Sequence, residues 1–113
     1  MEPRSKFWIE KDGQLVFSGW RVNLLEAIEE TGSLTGAAEK MGVHYRRAWG
    51  MIKEMEERLG FPLIVSQSGG AGGGGTELTP KAKGYIRRYK RFSSGLQDLV
   101  EQKFREAFGP QGE

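Results

Sequence analysis

Glycine residues divide the segment from Ser33 to Gly60 into a helix of barely two turns, a tight turn and a longer helix. Ser33 is a typical N-cap residue, and Gly42 is a residue that commonly ends a helix. The apolar residues between them recur at helical spacing and form one narrow stripe: Leu34, Ala37, Ala38 and Met41. This pattern restricts the segment to two helices joined by a turn, which is the plan of a helix-turn-helix unit.

The longer helix of this pair is predicted from about residue 44 to residue 59, with Gly60 as its end. Helical spacing assigns six residues to one apolar face: Tyr45, Ala48, Trp49, Ile52, Met55 and Leu59. It leaves six others toward solvent: His44, Arg46, Arg47, Gly50, Met51 and Lys53. We expect Trp49 to lie in the core. Two interpretations stay open for Tyr45, a core ring or a surface contact, and two for His44, a helix cap or a surface contact.

The tract "SQSGGAGGGGT", residues 66–76, holds six of the seventeen glycines of the chain. A Walker-type phosphate loop ends in Gly-Lys-Ser/Thr, whereas here threonine and glutamate follow the last glycine. A dinucleotide-binding turn needs a βαβ unit, which this sequence does not fit. A flexible linker should separate two folded units, but this tract joins two β-prone runs, residues 62–67 and 76–79. We therefore predict a hairpin tip, where glycine allows close approach to another molecule.

The remaining parts of the chain predict a second hairpin and two further helices. Two β-prone runs, residues 6–10 and 14–18, flank an Asp-Gly turn signal. A helix is predicted over residues 20–30. Thr79 and Pro80 then open a helix that continues to about residue 108. Its apolar residues alternate three and four apart: Ala82, Tyr85, Tyr89, Phe92, Leu96 and Leu99.

Charged residues are distributed unevenly, although the net charge is only +2. Residues 81–91 contain six basic residues and no acid, and residues 40–53 contain four and no acid. Such confined basic surface is typical of nucleic-acid-binding proteins, although plain solvated faces also produce it. The acids gather elsewhere, and those of the longer helix are interpreted as its solvated side: Glu54, Glu56 and Glu57.

The same composition argues against an enzyme and against a membrane protein. With one histidine and no cysteine, neither a nucleophile–base pair nor a metal site can be assembled, so we expect no catalysis, cofactor or metal. No apolar run is long enough to cross a bilayer, and a chain without cysteine is at home in a reducing cytoplasm.

Taken in order, these elements predict a mainly α-helical fold with small β-hairpins, a winged helix-turn-helix with a long C-terminal helix. Residues 1–78 are predicted to form a DNA-binding domain with an N-terminal hairpin. Residues 79–113 are predicted to form a long dimerisation helix and a tail. At 113 residues the chain is large enough for one modest core.

The stretch "LLEAIEETGSLTGAAEKMGVHYRRAWGMIKEMEERLGFPLI" resembles the LysR-type winged helix-turn-helix, with paired alanines, Gly-Val at the turn and Leu-Gly-x-Pro-Leu after the third helix. It is still more similar to the DNA-binding domain of the molybdate-dependent regulator (ModE) family. The shared features are Tyr45 followed by a basic residue, Ala48-Trp49, Ile52 and a glycine-rich wing at residues 69–75. The resemblance covers about residues 20–105.

This resemblance implies a sequence-specific transcriptional regulator that binds double-stranded DNA. Arg46 and Arg47 are expected in the major groove, where arginine can bind guanine through two hydrogen bonds. The full set of predicted DNA contacts is Thr35, His44, Tyr45, Arg46, Arg47, Ser66, Gln67, Ser68, Gly70, Gly72 and Thr76. Basic residues of the long helix are interpreted as nonspecific attraction, as solvated, or as flanks of a dimer interface: Arg87, Arg88, Lys90 and Arg91.

A homodimer through the C-terminal helix and the first helix would double the DNA contact. ModE-like regulators carry a molybdate-sensing module after the DNA-binding domain, whereas this sequence ends at Glu113, so no oxyanion site is predicted. A stand-alone relative and a fragment both stay open, and the polar end "GPQGE" favours a complete short protein. The alternative functions are a protein-interaction winged helix and a nonspecific DNA-binding protein. An interaction module should show an acidic or apolar recognition surface, and "HYRR" is neither.

Overall fold

The computed structural model describes residues 1–67 and 75–110. Its elements in chain order are β1 Trp8–Lys11, β2 Gln14–Ser18, α1 Gly19–Thr31, α2 Leu34–Met41, α3 Tyr45–Leu59, β3 Ile64–Ser66, β4 Thr76–Leu78 and α4 Pro80–Phe108. Strand β1 pairs antiparallel with β2, and β3 pairs antiparallel with β4. Two helices joined by a turn and followed by a hairpin confirm the predicted winged helix-turn-helix.

The helix boundaries lie at the capping residues that the sequence indicates. The hydroxyl groups of Ser33 and Thr79 each accept a hydrogen bond from the backbone N–H three residues ahead, at the starts of α2 and α4. Gly32, Gly42 and Gly60 end α1, α2 and α3 with φ angles of 73°, 70° and 86°. These angles lie in the left-handed region that favours glycine, so the three helices stop at defined positions.

The junction between α1 and α2 depends on the missing side chain of Gly36. A Cβ atom at this position would lie 2.9 Å from both the Thr31 Cβ and the Ser33 Oγ. Neither neighbour is free to move away, because the Ser33 Oγ accepts the Gly36 N–H at 2.9 Å and the Thr31 Oγ1 donates to the Ala27 carbonyl at 2.7 Å. Glycine therefore lets α2 start directly against the end of α1.

One hydrophobic core joins the three short helices, both hairpins and the start of α4. Its largest fully buried side chains are Val16, Leu24, Leu25, Ile28, Ile52, Met55 and Leu63. Ala37 and Ala38 bring α2 close to this core, and α4 contributes Ala82, Ile86 and Tyr89. The core therefore holds α3 together with strands β3 and β4, which contribute Ile64 and Leu78.

Helix α4 leaves the core after Tyr89. The next residue of its apolar seam, Phe92, is 46% exposed, and Leu99 is also 46% exposed. From residue 91 to the helix end, the chain extends for about 27 Å at 1.5 Å per residue. Phe104 and Phe108 stack on each other near that end, with ring centroids 5.0 Å apart. The apolar seam therefore continues well past the body of the domain.

Two acidic residues of α3 serve the fold, although the sequence suggested a solvated face. Glu56 accepts backbone hydrogen bonds from the N–H groups of Leu63 at 2.7 Å and Ile64 at 3.3 Å, and its side chain is only 13% exposed. Glu54 lies 3.4 Å from the guanidinium of the buried Arg21. For Glu56 the expectation fails because the chain reverses after α3 and brings new donors back to the helix, and for Glu54 it fails because α1 places Arg21 beside it.

We expect Glu56→Ala to lower the free energy of unfolding by about 2 kcal/mol, because two backbone N–H groups at the start of the wing lose a charged acceptor. Glu57→Ala is the matched control, since Glu57 is the exposed neighbour on the same helix. Urea denaturation of both variants measures the difference. Equal stability of the two variants would show that the Glu56 carboxylate does not anchor the wing.

Candidate nucleic-acid interface

The turn between α2 and α3 is tied down by backbone hydrogen bonds. The Gly42 N–H donates to the Glu39 carbonyl at 3.1 Å, and the Val43 N–H donates to the Ala38 carbonyl at 3.0 Å. The Val43 side chain is partly buried against the core. The turn therefore holds the first turn of α3 in a fixed position next to the end of α2.

His44 occupies the N-cap position of α3, but its side chain makes no capping hydrogen bond. Its backbone carbonyl accepts the N–H groups of Arg47 at 3.0 Å and Ala48 at 3.1 Å. The interpretation of the imidazole as a helix cap is therefore wrong. The side chain is exposed at the helix start, and its contact with DNA stays a prediction.

Arg46 and Arg47 lie in the first turn of α3, and both are exposed. Within residues 1–67 and 75–110, neither forms an ion pair. Consecutive residues of an α-helix are about 100° apart around its axis, so the two guanidinium groups cover a wide arc. The start of α3 therefore presents two positive charges that the described protein does not neutralise.

Trp49 lies at the surface with 47% of its area exposed, so the expectation that it belongs to the core is wrong. The buried stripe of α3 consists of Ala48, Ile52 and Met55, and a position 100° away from Ala48 lies at its edge. Tyr45 is 49% exposed on the same edge, which favours the surface interpretation of its ring. The first turns of α3 therefore present two aromatic rings as well as two arginines.

The opposite edge of the same stripe also differs from the prediction. Met51 was expected to face solvent, but its side chain is partly buried and packs against the core. The buried face of α3 is therefore turned toward Met51 and away from Trp49. Gly50, which was also predicted to face solvent, is half-buried.

The wing is anchored at its base to the end of α1. The Thr76 N–H donates to the Gly32 carbonyl at 2.8 Å, and the Gln67 N–H donates to the Gly75 carbonyl at 2.8 Å. Ser66 pairs with Thr76 across the two strands, and both Ser66 and Gln67 are exposed. The predicted contacts at the wing tip lie outside the described residues: Ser68, Gly70 and Gly72.

Thr35 completes the set of predicted contacts. It is exposed in the first turn of α2, two residues after the Ser33 cap, and its hydroxyl appears in no hydrogen bond among the described residues. The Thr76 N–H bond to Gly32 places the base of the wing beside the short α1–α2 junction. The start of α2, which carries Thr35, and the base of the wing therefore both adjoin the α1–α2 junction.

Ion pairs with α1 neutralise part of the basic surface. Three pairs link α1 to α2 and α4: Lys40 with Glu30, Lys83 with Glu29, and Lys90 with Glu26. The hydrogen bond from Lys90 to the Glu26 carboxylate raises the pKa of Lys90. The acids of α1 thus offset basic residues of α2 and α4, whereas Arg46 and Arg47 keep their charge available.

Among the described residues, no three histidine or carboxylate side chains come together as a metal ion would require. No helix in the described part of the chain is both long enough and apolar enough to span a bilayer.

A basic helix after a tight turn, beside an anchored wing, defines the class of winged helix-turn-helix proteins. Residues 21–83 match the model of the bacterial regulatory helix-turn-helix proteins of the lysR family. The chain therefore belongs to this family. The matched segment runs from α1 into the first turn of α4 and includes both α3 and the wing.

The curated relatives of this chain include ModE regulators. A molybdenum-pterin-binding protein, MopB of Rhodobacter capsulatus, is 38% identical over 71% of this chain and 30% of its own length. The molybdenum transport protein ModE of Azotobacter vinelandii is 33% identical over 83% of this chain and 35% of its own length. The DNA-binding transcriptional dual regulator ModE of Escherichia coli K12 is 35% identical over 78% and 30%. The predicted resemblance to the ModE family is confirmed, and the chain spans about a third of these relatives.

Solved structures support the fold. The DNA-binding domain of BenM in complex with benA site 1 DNA aligns with a TM-score of 0.56 at 24% identity, over 79% of this chain and 94% of that one. The DNA-binding domain of CbnR in complex with DNA aligns with a TM-score of 0.58 at 18% identity, over 77% and 94%. At this level of identity the likeness shows a shared winged-helix fold.

Proposed function

We propose that this chain is a sequence-specific DNA-binding transcriptional regulator that reads the major groove with the first turns of α3. The observation that carries the proposal is the pair of exposed arginines at the start of a helix held by a helix-turn-helix. Binding to chromosomal DNA would place the protein in the cytoplasm, as the sequence predicted. Membership of the lysR family and similarity to ModE regulators support the same function.

The proposed contacts divide into base readers and phosphate binders. Arg46 and Arg47 would donate to the O6 and N7 atoms of guanine, which lie on the major-groove edge. Thr35, Gln67 and Thr76 would bind phosphate oxygens, together with Ser66 and the wing tip. Phosphate contacts fix the orientation of the protein, and base contacts supply the specificity.

A homodimer is the second part of the proposal. One winged helix reads only a few base pairs, whereas two would read half-sites about 34 Å apart, one turn of the duplex. The extension of α4 beyond Tyr89, with apolar residues such as Leu96 and Leu99, supplies an uncovered seam of the kind that packs helices together. Residues 79–113 would then serve dimerisation, and α1 would flank the interface.

Similarity to molybdenum-related regulators supports a related operator. The matching segment covers the helix-turn-helix, so the shared part of these proteins is the part that would contact DNA. We therefore propose that this chain acts in molybdenum-related gene regulation. Parallel selection of duplexes by this chain and by ModE of Escherichia coli should then yield overlapping motifs, and unrelated motifs would contradict that assignment.

Selection from randomised duplex DNA, followed by salt titration on the selected site, separates the candidate functions. If each protomer of the proposed dimer places about two cations on phosphates, the dimer neutralises about four phosphates. A plot of log K against log salt concentration should then fall with a slope of about −3.6. A nonspecific binder would select no motif and would bind all duplexes alike. A protein-interaction module would bind none of them at low salt, which would contradict the proposal.

A further inference from the structure

We propose that four residues of α3 form a notch that receives the C5-methyl group of a thymine in the major groove. This aromatic notch consists of Tyr45, Arg46, Trp49 and Gly50, which together line one surface depression. The inference rests on the proposed function and adds to it the kind of base that is read next to guanine. It assigns a specificity role to two rings that the fold does not bury.

Exposure of both rings is the first observation. Tyr45 and Trp49 are four residues apart, so their side chains lie above one another on the same helix face. They are 49% and 47% exposed, although burial of such rings is strongly favourable. The fold therefore leaves about half of each ring for contact with something outside the chain.

The second observation is Gly50, a glycine in the middle of α3. A Cβ atom placed there would meet no atom within 4 Å, and Gly50 is not among the described residues with positive φ. Glycine inside a helix is unfavourable relative to alanine, so neither packing nor backbone conformation explains this choice. A missing side chain beside two exposed rings gives the notch an open floor, where another molecule can approach the helix closely.

Charge around the notch favours a polyanion as the occupant. Arg46 forms one of its walls, and the Lys53 Nζ lies 5.7 Å from the centre of the Trp49 ring. Lys53 already pairs with Glu56 at 3.1 Å, but Arg46 forms no ion pair among the described residues. An apolar peptide would leave the Arg46 charge without a partner, whereas a duplex supplies phosphates on both sides of the groove. Within the groove, the thymine methyl is the apolar group that a base pair presents. A basic rim around an apolar floor therefore matches a thymine edge in DNA.

The distance along α3 places this thymine close to the guanine read by Arg46. Three residues from Arg46 to Trp49 advance the helix by about 4.5 Å, and successive bases in a strand lie about 3.4 Å apart. The selected site should therefore contain a thymine within about two base pairs of an arginine-contacted guanine.

Replacement of single thymines by deoxyuridine tests the notch, because uracil keeps every hydrogen bond of thymine and lacks only the methyl group. We expect one position in each half-site where this change weakens wild-type binding about fourfold, the effect of burying one such group. Trp49→Ala should bind the thymine and uracil duplexes equally, whereas Arg47→Ala, which changes an exposed arginine outside the notch, should keep the difference between them.

A second variant tests the floor of the notch. Gly50→Ala should raise the unfolding temperature, because alanine favours the helix, and should weaken binding of the selected duplex. Unchanged affinity of Gly50→Ala, no uracil-sensitive position, or an uracil effect that survives in Trp49→Ala would each overturn the notch while the proposed function stands. Failure to select any duplex would overturn both.

Discussion

Simultaneous replacement of Arg46 and Arg47 by alanine is expected to abolish sequence-specific DNA binding and to leave the fold intact. Each arginine that binds guanine through two hydrogen bonds contributes about 1–3 kcal/mol of discrimination. Loss of both should reduce specific affinity at least about 30-fold per protomer. Neither side chain is buried or ion-paired within the described residues, so the domain should keep its stability.

Competition between the selected duplex and a scrambled duplex measures this loss, and urea denaturation checks the fold. Arg87→Ala plus Arg91→Ala is the matched control, because it removes the same charge from exposed positions on α4. We expect the control to weaken both duplexes by a similar factor and to keep the preference between them. A double variant of α3 that still prefers the selected duplex would remove α3 from the reading of sequence.

Replacement of Leu96 and Leu99 by glutamate is expected to convert a dimer into monomers. Both residues lie on the seam of α4 beyond the core, and Leu99 is 46% exposed. Two negative charges in a helix–helix seam would oppose packing without disturbing the core of either protomer. Two linked protomers bind two half-sites far more tightly than one protomer binds one half-site. The affinity of the monomeric variant for the full site should therefore fall by about a hundredfold or more.

Sedimentation at micromolar concentration measures the oligomeric state of this variant. Ser94→Glu plus Gln97→Glu is the control, since it adds the same charge at exposed positions on the other side of α4. The control should remain a dimer and bind the full site normally. A monomeric wild-type protein, or a seam variant that still dimerises, would show that α4 is not the interface.

The positions of the helices could be predicted because their ends are encoded locally. Ser33 and Thr79 cap the helices that follow them, and Gly32, Gly42 and Gly60 end the three short helices at left-handed positions. Such signals depend on neighbouring residues alone, so a single sequence suffices to place them. The order of helices and the hairpin after α3 then identified the winged helix.

The faces of α3 could be predicted only in part, because the width and direction of the buried stripe depend on what packs against it. Periodicity placed Trp49 inside and Met51 outside, whereas the core takes Met51 and leaves Trp49 exposed. Glu56 was missed for a related reason, since its partners Leu63 and Ile64 come into reach only after the chain reverses at Gly60. Neither contact has a signal within one helix.

Protection of guanine N7 from methylation by dimethyl sulfate tests the central claim most directly, because N7 lies on the major-groove edge where α3 is proposed to bind. On the selected duplex, wild-type protein should protect at least one guanine in each half-site. The variant without Arg46 and Arg47 should leave these guanines reactive at concentrations where it still coats the duplex. Full reactivity of every guanine under saturating wild-type protein would contradict the account.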